Sequence, residues 1–441
     1  MRFQSRGISF ADWVSLLTLC LAPIIAHVVA GAPRPSYLSR HRPPWHDRIC
    51  HYNPTSIVWR YFAITHRRLR ACAWSPLDLA TSNALFWTDN GWDGTEKIIT
   101  QSLQHCTHLP SQTRVEVFSC EMVKTIIVTL QGLQSVYMLL GNFMFTSYNP
   151  FMAVNGIFYP LSVLGLLRLC AALWLSDDFT YSIRVYGNAG AVPYPGDLFD
   201  DTAISEYDTR LSLDSLIDSL EIEAVPPARY HLASCWRSLI FRTFYLTILF
   251  AVLCVSILWV APIMTSGEGY FTTTSFLTGL FYLLLMTITV PLYGYYFTQG
   301  QTTTTIIPCA SYTWYKVYTV MVMGFMGVLF IVSCLETRKT ICGKYTSLDA
   351  TYGNGPCWTK GTGVWSVNPE SSETSLMGLA LKYPYSAGNT TLKHGEFWVM
   401  NFTGDCLGQW TGKSRTHLSL LGQTDFSGLT DLSNGSVSDG T

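Results

Sequence analysis

Charge is what this sequence has least of. Lys and Arg number 28 and Asp and Glu 29 in 441 residues, which is 13% charged against 49% hydrophobic. A soluble domain carries roughly 25% charged residues. The deficit excludes a disordered chain, which would be polar and charge-rich. The net charge of −1 leaves no basic excess for a general nucleic-acid binder, so no nucleic-acid partner is expected. Also missing are a Walker loop, a dinucleotide glycine fingerprint, an HExxH pair and a Gly-x-Ser-x-Gly elbow. No internal repeat stands out, which withholds support from an inverted-repeat transporter. No cofactor is expected, and an enzyme is the weaker of the possible readings.

What is present is apolar length. A helix crosses a bilayer with about 20 mainly apolar residues. Six runs reach or approach this: Trp13–Ala30, Val123–Phe145, Phe151–Leu175, Ile240–Ile263, Thr272–Phe297 and Lys316–Leu335. Within them the only charges are Lys124, Arg168, Arg242 and Lys316. The expected fold is an all-α polytopic membrane protein of about six transmembrane helices, with structured loops and a C-terminal tail of about 100 residues. The lipid bilayer is its expected partner, in the plasma membrane or an endomembrane. The first run also fits a signal sequence, since Arg2 and Arg6 precede it and Ala30-Gly31-Ala32 has small-x-small form. Pro33 follows that junction, however, and a retained span is favoured.

The chain divides into 1–30, the N-terminus and first span; 31–122, a basic loop rich in His, Cys and Trp; 123–175, spans two and three; 176–239, an acidic loop; 240–335, spans four to six; and 336–441, the tail. Residues 31–70 hold eight Arg and one acid, whereas 176–239 hold 11 acids and four Arg. Basic loops stay in the cytosol. That puts residues 31–122 and 176–239 inside and both termini outside, although Arg338 and Lys339 directly after span six oppose it.

In the basic loop, Ser56 to Arg70 reads as a helix with an apolar body and a basic end. Arg67, Arg68 and Arg70 are candidates for anionic headgroups. Packing on neighbouring loops is the plainer alternative. A second helix starts at Ser75-Pro76-Leu77-Asp78, where Ser75 caps, Pro76 suits the first turn and Asp78 faces the positive end. It is expected to run to about Trp87, before the turn Asp89-Asn90-Gly91. In the acidic loop, Leu213, Leu216, Ile217 and Leu220 have helical spacing.

Three residue sets are candidates for chemistry or modification. Arg168 lies deep in span three, and an intramembrane charge marks a site by default. Asp177 and Asp178 are its nearest acids along the following chain. Gln131, Gln134 and Asn142 in span two and Asn155 in span three are further intramembrane polar candidates. Polar glue between helices is the plainer reading of all five. Pro262 and Pro291 sit where they would kink or end spans four and five. The second set, His46, Cys50, His51, His105, Cys106 and His108, offers nitrogen and sulfur donors to zinc or copper, at spacings that match no known finger. In the tail, Asn389, Asn401 and Asn434 begin Asn-x-Ser/Thr sequons, which are modified only on the lumenal side. Cys342, Cys357 and Cys406 permit one disulfide there and leave one thiol over.

The text PPWHDRICHYNPTSIVWRYFAITHRRLRACAW, then LATSNALFWTDNGWDGTE, together with the preceding LAPIIAHVVAG, resembles multi-spanning membrane proteins of filamentous ascomycete fungi. The resemblance covers residues 20–175. It implies a source group and a membrane address, and it transfers no catalytic residue. The leading expectation is a non-enzymatic membrane protein, transport-like or a scaffold or sensor, built around the polar residues of spans two and three. The alternatives are a membrane-embedded metal or redox enzyme using the His/Cys loop, and a cell-surface protein binding through its tail.

Overall fold

The computed structural model describes residues 3–5, 8–39, 41–144, 152–182, 229–265, 272–339 and 345–348, and three further strands, 379–381, 397–400 and 406–410. It is predominantly helical. The helices are α1 (Phe10–Pro23), α2 (Trp45–Ile49), α3 (Pro54–Arg70), α4 (Pro76–Asn83), α5 (Ile98–Ser102), α6 (Cys120–Met144), α7 (Tyr159–Gly165), α8 (Arg168–Ala171), α9 (Trp236–Thr265), α10 (Thr273–Thr298) and α11 (Thr313–Glu336). Among the described residues, five helical stretches are long and apolar enough to cross a membrane: Phe10–Val29, Val154–Trp174, Trp236–Ala261, Thr273–Thr298 and Thr313–Glu336. They carry exposed faces of Leu239, Phe244, Leu258, Val317, Met321 and Ile331. An exposed apolar surface of this extent is what lipid contact requires of a membrane protein.

Polar contacts sort the ends of these stretches. At one end, Gln4 donates to the Ser347 carbonyl at 3.1 Å. Glu336, closing α11, accepts from the Thr274 backbone N–H at 2.8 Å, and the backbone N–H of Val154 donates to Thr337 at 3.0 Å. At the other end, Arg242 of α9 donates to the Phe297 carbonyl of α10 at 2.8 Å. Loops 31–119 and 299–312 gather here, and Arg67 bridges them by donating to the carbonyls of Gly94 and Thr303.

The centre of this second end is α3. Asn53 caps it by accepting from the Thr55 N–H, and Pro54 opens its first turn. The helix matches its expected range closely, but its environment differs from a membrane surface. Trp59, Tyr61, Phe62 and Ile64 are fully buried. Trp59 packs edge-on against Tyr293, ring centres 5.2 Å apart. Hydroxyls then fasten α3 to the spans. Thr55 meets Thr289 at 2.9 Å and Tyr318 at 3.1 Å, and Ser56 meets Tyr315 at 2.6 Å. Each pairing satisfies a polar group that burial would otherwise penalise.

Three expectations change. The helix begun by Ser75 has its reciprocal capping box with Asp78 but ends at Asn83, not Trp87. Leu85–Thr88 forms instead a strand, β2, parallel to β1 (Pro35–Tyr37) and antiparallel to β3 (Gly91–Asp93). Asn83 stops the helix by donating to the Trp174 carbonyl at 2.7 Å, and Gly91 takes the left-handed φ of 99° that the hairpin needs. Second, the Phe151–Leu175 run is not one helix. It is a 3₁₀ turn at Val154–Gly156, then α7, α8 and a closing 3₁₀ turn at Ala172–Trp174. Between α7 and α8 the backbone bonds are of i→i−3 type, such as Leu167 N–H to the Leu164 carbonyl. Third, the chain is not purely helical. Beyond the β1–β3 sheet, β4 (Cys106–His108) pairs with β5 (Thr180–Tyr181), β6 (Arg338–Lys339) pairs with β7 (Tyr345–Thr346), and in the tail β8 (Leu379–Leu381), β9 (Phe397–Met400) and β10 (Cys406–Trp410) form an antiparallel sheet.

Candidate functional site

A buried polar group lies where α6, the broken α7–α8 segment and the π-helical turn after α1 meet. Arg168 is 1% exposed. Its Nη2 stands 2.5 Å from Glu121 Oε2. Its Nε donates to Thr125 at 2.8 Å, and its guanidinium lies over the Tyr61 ring, 5.8 Å from the centroid. Glu121 is shared: its other oxygen meets Lys124 Nζ at 2.5 Å. Lys124 in turn is 3.6 Å from Asp177. The acid that neutralises Arg168 is therefore Glu121, neither Asp177 nor Asp178, and Asp178 instead meets His108 at 3.0 Å. Glu121 stands two residues before the second apolar run. Its signal was the i, i+3, i+4 set Glu121, Lys124, Thr125 on one helix face.

His27 completes the group. It is 1% exposed, and neither ring nitrogen has a partner among the described residues. A π-helical turn, Ile24–Val29, carries it directly after Pro23. Such turns recur at functional sites. The ring presses on a glycine: a Cβ at Gly165 would stand 3.2 Å from His27 Nδ1 and 2.9 Å from Val128. A Cβ at Gly132 would stand 2.5 Å from Leu166. Two glycines thus let α6 and α7 approach at backbone distance, in the small-residue manner of membrane helices.

The other polar candidates of spans two and three stand apart. Gln131 and Asn155 are half-buried and Gln134 is exposed. The side chain of Asn142 lies outside the described residues. Of the three candidate headgroup arginines, Arg67 and Arg70 are 1% and 3% exposed. Arg70 pairs with Glu96 at 2.7 Å. Arg68 is half-exposed and lies over the Trp74 ring at 5.7 Å.

The His/Cys set is dispersed. Among the described residues no three His, Cys, Asp or Glu side chains come together as a metal group. His46 lies beside Asp47, Cys50 donates to the His46 carbonyl, and His51 packs edge-on against Trp92 at 4.4 Å. His105 contacts Gln104, and Cys106 and His108 lie on the β4–β5 ladder. Burial, helped by the Arg60 charge, pushes the His51 pKa down to about 3. Burial, then the charges of Arg70 and Arg242, pushes His66 down to about 3. Near these groups Asp78 stays ionised. Burial raises its pKa, but Arg229 at 2.7 Å, Ser75 and Tyr230 outweigh that and hold it below the usual carboxylate range.

Ten cysteines are described and none forms a disulfide. Cys342, Cys357, Asn389, Asn401 and Asn434 lie outside the described residues, as do the Cys406 side chain and the helix expected around Leu213–Leu220. No family model, curated protein or solved structure matches this chain.

Proposed function

We propose that the protein is a non-enzymatic, transport-like integral membrane protein whose working centre is the His27–Arg168–Glu121 group. The observation that carries this is His27, a buried imidazole with neither nitrogen paired among the described residues, whose ring lies 6.5 Å from the Tyr61 ring that the buried, ion-paired Arg168 of the interrupted helix also faces. Ionisable residues within spans mark ion and substrate pathways, and imidazole and carboxylate are the usual proton carriers. Discontinuous helices line binding sites in many transporters. A purely structural ion pair accounts for Arg168 but leaves the orphaned imidazole without a reason.

The same reading counts α6 as a sixth span. Supporting it are an exposed apolar stripe, Val123, Ile126, Ile127, Leu130, Leu133 and Tyr137, and the close packing at Gly132. Six spans return both termini to one side. The Arg-rich 31–122 loop makes the opposite side cytosolic, and the tail sequons are then open to glycosylation. Of the three candidate headgroup arginines, Arg68 retains the exposure to meet a headgroup.

The test is proton movement. Purified protein is reconstituted into liposomes holding a pH-sensitive dye, and an inward acid gradient is applied. Protein-dependent acidification is expected, falling at least about tenfold in His27→Phe and Arg168→Leu at equal insertion. Acidification equal to that of empty liposomes, or unchanged in both variants, overturns the assignment.

A further inference from the structure

A cavity of about 20 Å³ lies at the loop-bearing end of the bundle, between α3, the end of α4 and residues 305–307. A volume of that order takes one water-sized particle and is too small for an organic ligand or a phosphate. Ser56 and Arg60, one turn apart on α3, reach it from one side, and Ser82 and Asn83 reach it from α4. His51 reaches it from the 3₁₀ turn Cys50–Tyr52, which precedes α3.

Two of the side chains lining it keep a nitrogen without a partner. His51 is 7% exposed, and its Nε2 has no hydrogen bond among the described residues; nor has the buried Nε of Arg60. The rest of the Arg60 guanidinium meets neutral oxygens. It donates to the Gly31 carbonyl at 2.9 Å, the Asn83 carbonyl at 3.4 Å and Asn83 Oδ1 at 3.2 Å. Among the described residues no carboxylate pairs with Arg60. The acids whose fields reach it are Glu121 and Asp177, and these are taken: Glu121 by Arg168 and Lys124, Asp177 by Lys124. Burial pushes the Arg60 pKa down to about 10, so the group stays cationic at neutral pH. Among the described residues lining the cavity, Arg60 is the one cation and none is an acid.

Charge selects the occupant. A water molecule here would accept from both nitrogens and leave the arginine uncompensated. A halide accepts from both and supplies the missing negative charge, through hydrogen bonds that the charge strengthens. We propose that the cavity holds one chloride ion, which accepts from Arg60 Nε–H and from His51 in its Nε2–H tautomer and ties α3 to the end of α4. The Ser82 oxygen accepts from Arg67, which leaves its own O–H to serve as a third donor. The site is separate from the His27–Arg168 centre, whose residues do not line the cavity.

The full chain is purified in mild detergent in sodium gluconate, and binding of radioactive chloride is measured by equilibrium dialysis at constant ionic strength. The native protein is expected to bind one chloride per chain, displaced by bromide and not by sulfate, which is too large for the cavity. Arg60→Gln should weaken binding at least about tenfold, since the counter-charge is lost. His51→Leu should weaken it at least about threefold through the lost donor. His51→Gln keeps an N–H donor and should bind as the native chain does. Arg60 also holds Gly31 and Asn83, so if Arg60→Gln fails to fold, the two His51 variants decide the outcome. The proposal is overturned if the native chain binds no chloride up to physiological salt, which would leave the cavity to water. It is also overturned if sulfate competes as well as bromide does, or if His51→Leu and every folded Arg60 variant bind as native.

Discussion

Replacing Glu121 by leucine removes the only carboxylate that touches Arg168 among the described residues, and the consequence can be worked from the surroundings. The Arg168 side chain is 1% exposed and that of Glu121 is 12% exposed. Left alone, the guanidinium keeps the Thr125 and Tyr61 hydroxyls and the Glu121 backbone carbonyl, none of them charged. Breaking a buried pair by deleting one partner costs about 3–5 kcal/mol, and Glu121→Leu falls in that range. The reverse deletion is milder. In Arg168→Leu the stranded carboxylate still has Lys124 at 2.5 Å. The loss is then that of a charged hydrogen bond, about 1.5–3 kcal/mol. The double variant strands neither group, so its cost should fall short of the sum of the two by at least about 2 kcal/mol. Reversible unfolding in mixed micelles, followed by tryptophan fluorescence, measures all four species. Additivity within about 0.5 kcal/mol would show that the two groups do not see one another, and the ion pair would have to be abandoned.

Acid should destabilise the protein through His51 and His66. Both have folded pKa values of about 3, set first by burial, against an unfolded value of about 6.5. Between those limits the unfolded chain binds more protons, so stability is complete above pH 6.5 and is lost as pH falls toward 3. The loss is about 1.4 kcal/mol per pH unit for each histidine. Unfolding midpoints measured from pH 7.5 to 5 should drop steeply in the native chain and less steeply in His66→Asn; a flat native profile contradicts the burial of both rings. At the helix crossing, Gly132→Val puts a side chain where even a Cβ meets Leu166 at 2.5 Å and the Ser162 carbonyl at 2.9 Å. A loss of about 1–3 kcal/mol is expected for this overpacking. Unchanged thermal stability of Gly132→Val in detergent would mean that α6 does not lie against α7.

The membrane character was legible because it depends on local chain properties, length and apolarity. Five of the six apolar runs overlap stretches able to cross a bilayer. The start of α4 was equally legible, since Ser75, Pro76 and Asp78 act within one turn. Its end was not. Leu85-Phe86-Trp87-Thr88 suits a helix or a strand, and pairing with Pro35–Tyr37, about fifty residues earlier, decided it. Arg168 stood out as a charge in an apolar run, yet its partner Glu121 lay just beyond the run's edge. His27 lies within the first apolar run, and nothing local showed that it would be buried without a partner among the described residues.

The sequence alone determined how much of the chain belongs in lipid, which residues begin its helices and how its loops divide into basic and acidic. These follow from transfer energies and backbone preferences that act over a few residues. Only the tertiary structure decided what the arginines of 54–70 were for. The block Arg67-Arg68-Leu69-Arg70 reads as a solvated basic end, yet Arg67 is enclosed by the carbonyls of Gly94 and Thr303, and Arg70 by Glu96 and the His231 carbonyl. A charge is buried only where distant segments bring compensating acceptors to it, and which segments meet is a property of the packed chain. The same holds for the basic loop as a whole: its helix fills the centre of the bundle's end because Thr289, Tyr315 and Tyr318 on the spans supply partners for Thr55 and Ser56.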